Sequence, residues 1–189
     1  MSDTLVIIPT YNEIENIEPL TKAVICASNE VDILIVDDNS PDGTGKKADE
    51  LESLEPRINV IHRNKKDGLG RAYIEGFHWA LNRKYEYIME MDCDFSHDPK
   101  EIENFRKKMK EGYDLILGSR YIDGIRVMNW PLSRLMLSRG AGIYVQLITR
   151  MPFTDPTGGY KCFSRKLLSS YELSKVQANG YGFQIEMTH

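Results

Sequence analysis

Five short apolar runs rich in β-branched residues, at 5–8, 33–36, 58–61, 87–91 and 115–117, are separated mostly by stretches long enough to hold a helix. That alternation restricts the folds open to the chain, because strand–helix–strand units close as parallel sheets through crossover connections. Residues 14–27, 44–54, 69–83 and 99–110 carry helical periodicity between the runs. The expectation is an α/β fold, a Rossmann-like and mostly parallel sheet with helices on both faces. The 189 residues suit a single domain, 1–189, with no internal repeat or low-complexity linker.

In such sheets ligands lie beyond the carboxyl ends of the strands. The first run ends in Pro9-Thr10-Tyr11-Asn12-Glu13, the second in Asp37-Asp38-Asn39-Ser40-Pro41-Asp42-Gly43 and the fourth in Asp92-Cys93-Asp94. Three polar clusters at successive strand ends read as one site. Asp92 and Asp94 are one residue apart in an extended segment, so both carboxylates project to one side, where Mg²⁺ or Mn²⁺ could hold a diphosphate. Taken alone, Asp-x-Asp also suits a solvated turn or a helix cap. The dinucleotide glycine fingerprint and the P-loop are both missing, and Gly68 and Gly70 form only a short pair. Phosphates would then need a metal and basic side chains.

A formal charge of -4, from 24 basic and 28 acidic residues, argues against a general nucleic-acid binder. Cys26, Cys93 and Cys162 are odd in number and widely spaced, which favours neither a disulfide framework nor a zinc site. The amino terminus lacks the pattern of a signal peptide, and no run approaches the roughly 18 apolar residues of a membrane span. A cytoplasmic protein is expected, with any membrane contact peripheral and on the cytoplasmic face.

The segments Val-Ile-Ile-Pro-Thr-Tyr-Asn-Glu (6–13), Val-Asp-Asp-Asn-Ser-Pro-Asp-Gly (36–43) and Met-Asp-Cys-Asp-Phe-Ser-His-Asp-Pro (91–99) resemble family 2 glycosyltransferases of the GT-A fold. More narrowly, the chain is similar to dolichyl-phosphate (polyprenyl-phosphate) mannosyltransferases. Further matches, in family order, are 68–72, 118–121, 138–140, 155–161 and 180–187. The resemblance implies inverting transfer of mannose from GDP-mannose to a dolichyl or polyprenyl phosphate, with Mg²⁺ or Mn²⁺ at Asp94 and Asp92. It implies donor contacts from Pro9, Tyr11, Glu13, Val36, Asp38, Asp92, Cys93 and Asp94, with Tyr11 placed to stack on the base. Arg120 would join the catalytic aspartates, and Arg120, Arg134 and Ser138 would grip the acceptor phosphate. Arg134 and Ser138 are four apart and share a helix face, although arginines there also suit a solvated basic face.

Residues 131–150 mix Leu132, Leu135, Met136, Ile143, Tyr144, Leu147 and Ile148 with Arg134, Arg139 and Arg150. Such a helix could lie at a bilayer surface or pack into a core. Phe77 and Trp79 read as core, and Ser96 or Asp98 as a helix cap beside His97. The chain stops at 186–189, inside what reads as another helix, and so reads as a catalytic domain truncated at its C-terminus. Members of the resembled family continue to another Arg and a Lys on the diphosphate, a contact that Lys161 could partly replace. A UDP-sugar donor, or a fragment that binds a nucleotide sugar without turnover, stays open on this reading.

Overall fold

The computed structural model describes residues 2–119, 132–153 and 155–189, without the side chains of 132–139 and 141. In chain order the helices and strands are β1 (Thr4–Thr10), α1 (Ile17–Ala27), β2 (Val31–Asp37), α2 (Thr44–Leu54), β3 (Ile58–His62), α3 (Leu69–Leu81), β4 (Tyr87–Glu90), α4 (Ile102–Lys110), β5 (Leu115–Leu117), α5 (Leu132–Thr149), β6 (Lys161–Ser164), α6 (Arg165–Ser170) and α7 (Tyr181–Glu186). Every apolar run expected to be a strand is one. The reading of the sequence missed β6, a strand of only four residues whose Lys and Ser blur the apolar signal.

The strands lie in the order β3-β2-β1-β4-β6-β5. The first four are parallel, while β6 runs antiparallel to both β4 and β5. Strand order reverses between β1 and β4, so the loops leaving these two neighbours splay apart and open a crevice. Pro9 fits there because Ile7 already pairs with Glu90, the last residue of β4. The amide hydrogen that proline lacks would point past the end of that strand, where the ladder has stopped.

Alternation along the strands divides the core in two. Val6, Ile8, Ile33, Ile35 and Met89 pack with α1 and α4 on one face, and Leu5, Ile7, Leu34, Val36 and Ile88 pack under α3 on the other. Phe77 is fully buried in the second cluster and Trp79 packs at its margin, as expected. At the amino ends of the strands, far from the crevice, Arg106 is 3% exposed and binds Asp3, Glu30 and Glu103. It also donates to Thr4 Oγ1 and Ser28 Oγ, and so ties α4 to β1 and the end of α1. Arg106→Met should lower unfolding free energy by about 2 kcal/mol, because buried acceptors lose a charged partner while the outer carboxylates stay hydrated; denaturant melts will measure it.

Candidate active site

The loops after β1 and β2 are fastened to each other. Asp37, 2% exposed, accepts from Thr10 Oγ1 (3.0 Å), Ser40 Oγ (2.6 Å) and the Ser40 amide (3.1 Å). The amides of Asn12, Glu13 and Ile14 donate in turn to Ser40 Oγ, Thr44 Oγ1 and Asp42 Oδ2. Asn12 (φ 62°), Asn39 (φ 57°) and Phe95 (φ 59°) all take left-handed backbone, one in each loop after β1, β2 and β4. Asparagine tolerates that region, but phenylalanine is strained in it, and such strain is retained where surroundings fix a functional loop.

Within this frame Pro9, Tyr11 and Glu13 are half-buried on one side of the crevice. Lys66 Nζ sits 3.9 Å from the centre of the Tyr11 ring, a cation on its aromatic face. Val36 is fully buried under α3. Asp38 is 6% exposed, and burial raises its carboxyl above the ordinary range while a short charged hydrogen bond from Arg63 opposes the rise. Arg63 also reaches Glu75 on α3 at 3.0 Å. Reading strand ends did not single out Arg63, yet it directly follows β3 and the same rule extended to that strand points to it.

Across the crevice Asp92 is half-buried and Asp94 exposed. Asp92 Oδ1 accepts from Tyr73 Oη at 3.1 Å, and the Asp92 amide donates to His97 Nδ1 at 3.0 Å. The His97 ring stacks on Tyr160, with centroids 4.8 Å apart, so it shapes the loop from within. Asp94 Oδ1 accepts from the Ser96 amide, and Asp98 caps the turn Pro99–Glu101. Cys93 is buried between the carboxylates, and burial pushes its thiol well above the ordinary range.

Among the described residues no group of three or more His, Cys, Asp or Glu is arranged to hold a metal. Two carboxylates nevertheless fit Mg²⁺ or Mn²⁺, which bind through one or two protein carboxylates and complete their shell with water and phosphate oxygens. Lys161 is 0% exposed on β6, and its Nζ donates to the Gln184 carbonyl at 2.6 Å. Arg120 lies outside the described residues, and Arg134 and Ser138 belong to α5, with side chains outside that description. Tyr73 escaped the sequence reading because it lies on a helix and no local pattern links it to Asp92.

A crevice at a strand-order reversal, lined by acidic loops and a carboxylate pair, on a six-stranded mostly parallel sheet is the arrangement of GT-A glycosyltransferases. The chain belongs to glycosyl transferase family 2, whose model matches residues 5–171. It is 47% identical over 186 residues to the polyprenol monophosphomannose synthase of Mycolicibacterium smegmatis, covering 98% of this chain and 70% of that protein. It is 44% identical over 185 residues to the undecaprenyl-phosphate mannosyltransferase of Micrococcus luteus, covering 97% of this chain and 75% of that one. The fold also matches a Pyrobaculum calidifontis mannosyltransferase solved with GDP-Man and Mn²⁺, at a TM-score of 0.62 and 17% identity over 98% of this chain and 51% of that one.

Arg63→Met should make stability more sensitive to pH. Without the guanidinium, the folded pKa of Asp38 rises further above its unfolded value, so the penalty is absent below the unfolded pKa and grows as pH rises through the folded one. Thermal melts should show a loss of about 2 kcal/mol near neutrality, shrinking toward about pH 4.

Proposed function

We propose that this chain is the catalytic domain of a metal-dependent enzyme that moves mannose from GDP-mannose to the phosphate of a polyprenol or dolichol, with inversion at the anomeric carbon. The carrying observation is that Asp92 and Asp94 stand across the crevice from Pro9, Tyr11 and Glu13 in a chain 47% identical, over 98% of its length, to a polyprenol monophosphomannose synthase. In this reading Tyr11, Glu13 and Asp38 hold the nucleoside, and the fastened β1 and β2 loops keep that pocket rigid. Asp92 and Asp94 would hold a divalent ion, which when bound would supply Lewis-acid stabilisation of the charge that develops on the departing diphosphate.

The acceptor phosphate is already ionised near neutral pH, so the chain supplies position rather than a general base. Arg120, Arg134 and Ser138 are assigned to hold that phosphate. The far half of α5 favours a lipid acceptor: Ile143, Tyr144, Leu147 and Ile148 are 52–76% exposed and fall at i, i+1, i+4 and i+5, a continuous apolar stripe. Of the two roles open to this helix, the stripe supports contact with a bilayer surface over burial in a core. No helix among the described residues is long and apolar enough to cross a membrane, and peripheral contact is the mode proposed.

Calorimetric titration of GDP-mannose, GDP, UDP-glucose and UDP, with Mn²⁺ and again with chelator, tests the donor. Metal-dependent preference for the guanosine ligands is expected; preference for the uridine ligands would reassign the donor, and binding without turnover on polyprenyl phosphate would leave a binding fragment. Asp94→Ala should reduce metal-dependent GDP affinity by at least about 30-fold, whereas Arg134→Ala should spare GDP and weaken the acceptor. Leu147→Glu should cut sedimentation with anionic lipid vesicles several-fold while GDP titration stays the same.

A further inference from the structure

Beneath the carboxylate pair lies a buried charge cluster to which the reading above gives no task. Glu90 is 0% exposed, two residues before Asp92, and Lys161 faces it directly in the antiparallel β4–β6 ladder. Ile88 and Phe163 belong to the core under α3, and alternation puts Glu90 and Lys161 on that same face. Burial raises the Glu90 carboxyl and lowers the Lys161 ammonium, each opposed by the charge of the other. Gln184, 3% exposed on α7, takes the Lys161 ammonium on its main-chain oxygen. Its amide lies close enough to Glu90 to favour the charged form, yet both amide atoms and both Glu90 oxygens lack a partner in hydrogen-bonding geometry. Unmade bonds of this kind call for a reason.

The cluster lies close to Asp92 on two sides. A Cβ on Gly159 would stand 3.4 Å from Asp92 Oδ2 and 3.5 Å from Gln184 Nε2, so carboxylate and amide converge on one bare stretch of backbone. On the other side Phe183, the residue before Gln184, fills the space that a side chain at Gly70 would need, 2.8 Å from its Cβ position. Phe183 stacks on Tyr73, with centroids 5.9 Å apart and planes within 1°, and Tyr73 Oη donates to Asp92. The placement of α7 therefore bears on Asp92 through the stacked Phe183–Tyr73 pair, with the Gln184 amide nearby across Gly159.

We infer that Lys161 is a positioning residue and not a diphosphate ligand: it neutralises Glu90 inside the sheet and anchors α7, which holds the Asp92 carboxylate in place. The inference rests on the metal–diphosphate reading of Asp92 and Asp94. To touch a ligand, the ammonium would have to leave the Gln184 carbonyl, and parting a buried charged donor from its acceptor is unfavourable.

The test is a double-mutant cycle on Mn²⁺-dependent GDP affinity with Glu90→Gln, Lys161→Met and the pair together, with melting curves for each. Lys161→Met alone should weaken binding at least about 30-fold, and adding Glu90→Gln should recover it to within about fivefold of the parent, because charge balance returns while one hydrogen bond stays lost. A double variant that melts like the parent but binds as weakly as Lys161→Met would make Lys161 a direct ligand and end the proposal. Undiminished binding by Lys161→Met would end it too. If Lys161→Met does not fold, the double variant decides by the same fivefold and 30-fold limits. Wild-type protein that binds no nucleotide with Mn²⁺ would overturn the functional reading together with this one, a result distinct from wild-type binding without coupling in the cycle.

Discussion

The pairing of β1 with β4 is the constraint on which the site depends. It reverses the strand order, and with that reversal the loop carrying Pro9, Tyr11 and Glu13 and the loop carrying Asp92 and Asp94 face each other across an open crevice. Were β4 to pair elsewhere, the same residues would be present without forming a site. β4 ends at Glu90 while β1 continues to Thr10, so the last three residues of β1 have no partner in β4.

Rigidity at the two walls has different origins. At the β1 and β2 ends it is a hydrogen-bonded knot: Asp37 accepts three bonds, from Thr10 and Ser40, and Ser40, Asp42 and Thr44 take up the amides of Asn12, Ile14 and Glu13. At the β4 end it is packing from beneath, with Tyr73 and His97 fixing Asp92 and Phe183 fixing Tyr73. Asp94, by contrast, stands in solvent, its side chain accepting from the Ser96 amide of its own loop.

Much of this was legible in the chain because periodicity and strand-end chemistry are local. The runs around Ile7, Leu34, Val60, Met89 and Ile116 show their strands by β-branched and apolar content, and the acids that follow mark the open edge. Short elements broke the rule: β6 offers Lys161-Cys162-Phe163-Ser164, too brief and mixed to display a period of two. Lys161 was legible only as a basic residue near a motif, whereas its burial came from an antiparallel partner 71 positions away. Arg63 and Tyr73 had to be brought to Asp38 and Asp92 by the fold before their roles could be seen.

The sequence by itself determined the α/β class, the positions of five strands and their helices, the acidic strand ends and membership of a glycosyltransferase family, because each is written in neighbouring residues. The tertiary structure alone decided which strands lie side by side, where their order reverses, and which charges are sealed inside. Those outcomes depend on the joint burial of segments distant in the chain, and a local pattern of apolar and polar residues fixes the faces of a strand without naming its neighbour.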